Sequence, residues 1–143
     1  MTQELANDML EYLASTPEMR RAVFRSILRT NMERCFEWHA GAEPWSIADW
    51  TNAVAGEAGE LSNKAKKIRR LETFTNAHRK YEGDINQLRR AAAEEAADVF
   101  IYLQIALYHL AAPETVGFNL YDEVAMKFNA TSVEFGFEHR MPL

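Results

Sequence analysis

A single cysteine, Cys35, stands among the 143 residues, so no internal disulfide can form and the natural setting is a reducing cytoplasm. Long apolar runs are missing as well. The longest candidate follows Asp98, but it is too short for a bilayer span and contains Gln104. The opening MTQELANDML lacks the basic and apolar regions of a secretory leader. His39, His78, His109 and His139 have no mutual spacing suited to zinc. No phosphate-binding glycine loop of the P-loop or dinucleotide type occurs. Internal repeats, low-complexity segments and alternating strand patterns are also absent. Positive charge is in deficit, with 16 Lys and Arg against 21 Asp and Glu; the net charge of −5 argues against a general nucleic-acid binder.

What is present is apolar content and helical periodicity. Hydrophobic residues make up 48% of the chain, enough for one domain over residues 1–143 with a core of its own. A short helix is expected from about Gln3 to Ala14. Ser15 or Thr16 then caps a second helix with Pro17 in its first turn, running to about His39 with Met19, Val23, Ile27 and Leu28 along one stripe. Gly41–Pro44 is a break. Ser46 and Asp49 form a capping-box variant that starts a third helix, reaching about Arg70. Residues 71–84 read as a loop, Ile85 to Ala111 as a fourth helix ended by Pro113, and Asn119 as the cap of a fifth, reaching about Phe135. Gly136 stops it, and an irregular tail closes the chain. The expected class is an all-α helical bundle.

Chemistry concentrates in two acidic tetrapeptides, Glu57-Ala-Gly-Glu60 and Glu95-Ala-Ala-Asp98. Residues three apart are neighbours on a helix surface, so each pair projects two carboxylates from one face. Two such helices packed together gather four carboxylates, which repel one another unless a cation neutralises them. Hard oxygen donors in that number favour Mg²⁺ or Mn²⁺. The setting supports this over a solvated acidic face. Gly56 and Gly59 weaken the helix and admit close approach of a backbone or ligand, while the second pair opens an apolar segment, Val99 to Tyr108.

Lys64 and Lys67 fall on the stripe of Glu57 and Glu60, placed to hold phosphate oxygens beyond a metal; an ordinary Glu60–Lys64 pair on an exposed face accounts for them equally. Trp45 and Trp50 occupy the two positions of a hydrophobic staple around the Ser46 cap, which explains them better than base stacking. His109 is read as a packing or helix-dipole residue, and Cys35 as a small core residue. A ferritin-type di-metal oxidase needs Glu-x-x-His on two helices, and no glutamate here has histidine at i+3. The competing reading is a non-catalytic helical interaction protein with surface acidic pairs.

Gly56-Glu-Ala-Gly-Glu-Leu61 and Glu94-Glu-Ala-Ala-Asp-Val99 resemble the signature of the all-α nucleoside triphosphate pyrophosphatases, the MazG-like superfamily. Trp45-Ser46, Lys66-Lys-Ile-Arg-Arg70, Lys127-Phe-Asn129, Ser132, Phe135-Gly136 and Arg140 look similar to phage and bacterial members. The resemblance covers roughly Phe36 to Leu143 and leaves residues 1–35 as a helical extension. It implies a four-helix core and Mg²⁺ bound by Glu57, Glu60, Glu95 and Asp98, with Mn²⁺ a possible substitute. It further implies substrate contacts from Lys127, Asn129 and Arg140, beside Lys64 and Lys67, which the helical stripe alone places there. The implied reaction is hydrolysis of a (d)NTP to the (d)NMP and pyrophosphate, with Glu57 or Glu60 handling the attacking water. One phage subgroup acts on purine deoxynucleotides, which suggests dGTP or dATP. A homodimer or homotetramer in the cytoplasm, or the host cytoplasm if phage-encoded, is expected, without membrane or stable nucleic-acid binding. Phe128 is expected to face the core between Lys127 and Asn129.

Overall fold

The computed structural model describes residues 16–38, 45–73, 83–111 and 119–143. Among them lie four helices and no strand: α1 (Pro17–Trp38), α2 (Ile47–Thr73), α3 (Ile85–Leu110) and α4 (Leu120–Glu134). The chain is an all-α helical bundle. The expected helix at 3–14, the break at 41–44 and the Pro113 stop lie outside the described residues.

Local chemistry sets the helix ends. Thr16 Oγ1 accepts from the Met19 amide at 3.3 Å ahead of α1. At α2 the Ser46 amide donates to Asp49 Oδ2 at 2.8 Å and the Asp49 amide donates to Ser46 Oγ at 3.3 Å, a reciprocal capping box. The Trp45 and Trp50 rings meet at 4.6 Å, the staple that fixes how the chain enters the helix. Helix α2 continues to Thr73, past the expected end at Arg70. Asp84 caps α3 by accepting from the Asn86 and Gln87 amides, and Asn119 caps α4 by accepting from Tyr121. Helix α4 ends in a Schellman motif: the Phe137 amide donates to Ser132 O at 2.8 Å and the Gly136 amide to Val133 O at 3.2 Å. Gly136 takes the left-handed φ of 70° that this motif requires.

Helices α2 and α3 form the most intimate pair, and they run antiparallel. Trp50 meets Tyr102 at 6.2 Å and stacks on His109 at 6.1 Å near one end, whereas Glu72 pairs with Arg89 at 3.0 Å near the other. The buried core lies at the aromatic end. It joins Cys35, Trp50, Ile105 and Ala106, with Met32, Trp45, Val54 and Tyr102 packed against it. Cys35 and His109 are thus packing residues, and burial raises the Cys35 thiol pKa. Helix α1 crosses this pair, its Asn31 Nδ2 donating to Ile101 O at 2.8 Å. Helix α4 packs on α1 through the Arg21–Asp122 ion pair at 2.7 Å and through Asn119 Nδ2, which donates to Arg21 O at 2.9 Å.

Two packing expectations are corrected. Phe128 is 45% exposed, because Tyr121, Ala125 and Ser132 form the buried seam of α4. Of the α1 stripe, Met19, Val23 and Ile27 are exposed, because Phe24, Asn31 and Cys35 supply the side that meets the other helices.

Candidate functional site

One helical turn beyond the core, the antiparallel seam turns from aromatic to acidic. Glu57 follows Val54 by three residues on α2, and Asp98 precedes Tyr102 by four on α3, so the same faces that bury the core present the carboxylates. One carboxylate oxygen from each of Glu57, Glu60 and Glu95 lies within 4.8 Å of the others. Asp98 lies outside that group, and its charge, after burial, is the next largest influence on Glu57. The two motifs, 38 positions apart from Glu57 to Glu95, thus meet on one seam, with three of the four expected carboxylates in one group and Asp98 outside it.

Electrostatics record the crowding. The Glu57 carboxyl is pushed above its ordinary value of 4.5, first by burial, then by the charges of Asp98, Glu60 and Glu95, and last by a hydrogen bond with Glu95. Tyr102, which sequence reasoning did not single out, belongs to this neighbourhood. Burial raises its phenol pKa first, and the charges of Glu57 and Asp98 raise it further. Its position one turn after Asp98 was the available signal.

Lys64 sits at the rim of the cluster, Nζ 3.8 Å from Glu95 Oε1 across the helix seam. That contact distinguishes it from an ordinary pair along one helix. Lys67 is half-buried one turn further along α2. Glu94, beside Glu95 in sequence, turns outward and pairs with Arg90 at 3.7 Å. Gly56 and Gly59 are exposed, and a Cβ at either position meets nothing within 4 Å, so no described backbone makes the close approach expected there.

The C-terminal residues are distributed differently. Lys127 and Asn129 are two apart on α4 and point to opposite sides of the helix. Lys127 is exposed, whereas the Asn129 amide group bonds to Met141 in the tail. Arg140 Nη1 donates to Phe137 O and, at 2.8 Å, to His139 O. Helix α4 packs mainly on α1, so the structure assembles Glu57, Glu60, Glu95, Asp98 and Lys64 while the described contacts of Asn129 and Arg140 stay within the tail. No helix among the described residues is long and apolar enough to cross a membrane. Comparisons with protein families, with curated proteins and with solved structures found no match to this chain.

Proposed function

We propose that the acidic seam between α2 and α3 binds Mg²⁺, with Mn²⁺ able to replace it, and that the protein hydrolyses a (d)NTP to the (d)NMP and pyrophosphate. The observation that carries this reading is the convergence of Glu57, Glu60 and Glu95 within 4.8 Å. Burial and the charges of Asp98, Glu60 and Glu95 raise the proton affinity of Glu57, and a divalent cation relieves the repulsion that a proton otherwise relieves. An all-oxygen donor set fits a hard cation of this kind.

A bound divalent ion supplies Lewis acidity toward phosphate oxygens and toward water. The chain's own groups do the rest. Glu57 and Glu60 lie one turn apart, so one can ligate while the other orients the attacking water and accepts its proton. Burial and neighbouring charge make Glu57 the more basic of the usual carboxylates, which suits proton acceptance. Lys64 neutralises Glu95 in the resting site, and its ammonium group can exchange that carboxylate for a phosphate oxygen. Lys67 extends the same positive edge, with Lys127 and Arg140 as further phosphate contacts on the strength of the resemblance. Preference for purine deoxynucleotides rests on that resemblance alone.

The test is a panel of canonical (d)NTPs with and without magnesium, read as monophosphate and pyrophosphate. The expected result is metal-dependent release of both, with ¹⁸O from labelled water found in the monophosphate. Label in pyrophosphate, or release of inorganic phosphate alone, means attack at another phosphorus. An inert interaction protein shows neither turnover nor magnesium-dependent thermal stabilisation in the presence of nucleotide.

A further inference from the structure

We infer that a single water molecule is held in a small cavity between α1, α3 and the start of α4, where it bridges the side chains of Gln104 and Asn119. Gln104 interrupts the apolar segment of α3 and is only 2% exposed. Its Oε1 is buried and meets no hydrogen-bond donor among the described residues. An amide oxygen taken out of water without a partner is costly, so buried polar atoms are nearly always satisfied by protein or by ordered water. Gln104 lines a cavity of about 10 Å³ together with Phe24, Arg25 and Leu28 of α1, Asn119 and Leu120. One water needs about that much room, and any larger guest needs more.

Asn119 supplies the second contact. It is 4% exposed, its Oδ1 accepts from the Tyr121 amide at 2.9 Å, and its Nδ2 donates to Arg21 O at 2.9 Å. A side-chain amide nitrogen carries two hydrogens. The bond to Arg21 uses one, and the other is left for the water, which accepts it and donates to Gln104 Oε1. Buried waters make two to four such bonds. Phe24, Leu28 and Leu120 give the cavity apolar walls, so the two amides, with Arg25 at the exposed edge, provide its polar side chains. The bridge joins α3 to the capping residue of α4, a helix that otherwise packs mainly on α1.

The inference does not depend on the acidic seam, and its test does not use turnover. A high-resolution crystal structure of the full chain is expected to show an ordered water within hydrogen-bond distance of both Gln104 Oε1 and Asn119 Nδ2. A dry cavity, or a protein group bonded directly to Gln104 in place of water, overturns the inference. Thermal melts give a second reading with a definite sign. Gln104→Met keeps the length of the side chain and removes its amide. With the water in place, that change breaks the bridge and strands the Asn119 donor, so Tm should fall by roughly 3 °C or more. Without the water, it removes an unsatisfied buried acceptor, and Tm should hold or rise. An unchanged or higher Tm therefore overturns the inference too. Asn119→Ser retains a capping oxygen but lacks the Nδ2 donor. Combined with Gln104→Met, it should cost less than the sum of the two single losses, because one water links both sites. Strictly additive losses would show that no bridge joins them.

Discussion

Asn129 and Met141 exchange two hydrogen bonds: Asn129 Nδ2 donates to the Met141 carbonyl at 2.9 Å, and the Met141 amide donates to Asn129 Oδ1 at 2.7 Å. One residue on, Tyr121 Oη donates to Pro142 O at 2.6 Å and accepts from Arg20 Nη1 at 2.9 Å. The tail is thereby fastened to α4 at two residues, and Tyr121 links that attachment to α1. Asn129→Ala should destabilise the protein by about 1–3 kcal/mol, because it unmakes both bonds at a part-buried place. Urea unfolding measures this. Unchanged stability with a large loss of kcat/KM would instead assign the amide to substrate.

Glu60→Gln and Asp98→Asn each remove one anionic oxygen from the seam. Turnover should vanish in both, while metal-free Tm stays level or rises as like-charge repulsion is relieved. Activity assays and thermal melts with chelator read the two effects separately. A fully active variant would remove its residue from the mechanism.

The pH dependence of Glu57 gives a prediction with a definite sign. Its folded carboxyl titrates above the ordinary 4.5, so as pH rises the unfolded chain loses its proton first. Stability therefore falls as pH climbs from about 4.5 through the folded value, and remains lowered above it. Glu57→Gln should raise metal-free Tm at neutral pH, and that gain should shrink as pH approaches 4.5. A gain independent of pH would show that charge is not its cause.

Lys127 is exposed on α4, and its role in phosphate binding is carried by the resemblance alone. If it holds the phosphate tail, Lys127→Ala lowers kcat/KM about tenfold or more, as a charge-assisted contact of roughly 1.5–3 kcal/mol requires. A solvated lysine costs almost nothing in either activity or stability. Steady-state kinetics at saturating metal decides between them.

Gly59 sits inside α2 with open space where a Cβ would stand. Gly59→Ala should therefore stabilise the protein by about 0.5–1 kcal/mol through helix propensity. Thermal melts check the gain. A simultaneous loss of nucleotide turnover would show that substrate lies against this face.

Much of the bundle was legible because its determinants are local. Ser46 and Asp49, Asp84, Asn119 and Gly136 are capping or stopping residues acting within a few positions, and each marks a helix end within a residue or two. The carboxylate convergence was legible in part: three-residue spacing puts each pair on one helix face, and the apolar segment after Asp98 marks the second face as the inward one. The end of α2 was misjudged by three residues. Polarity after Arg70 suggested a loop, but Leu71 is buried and carries the helix onward.

By itself, the sequence determined the helix class, the capped helix starts and which acids share a helix face, since these follow from backbone periodicity and capping within one turn. Tertiary structure decided the rest. The ion pair of Lys64 with Glu95, the position of Tyr102 beside the acids, the two hydrogen bonds between Asn129 and the tail residue Met141, and the outward turn of Val23 and Ile27 all depend on how segments apart in sequence pack. Helical periodicity assigns a residue to a face. Which neighbour that face meets is set only when the other helices have found their places.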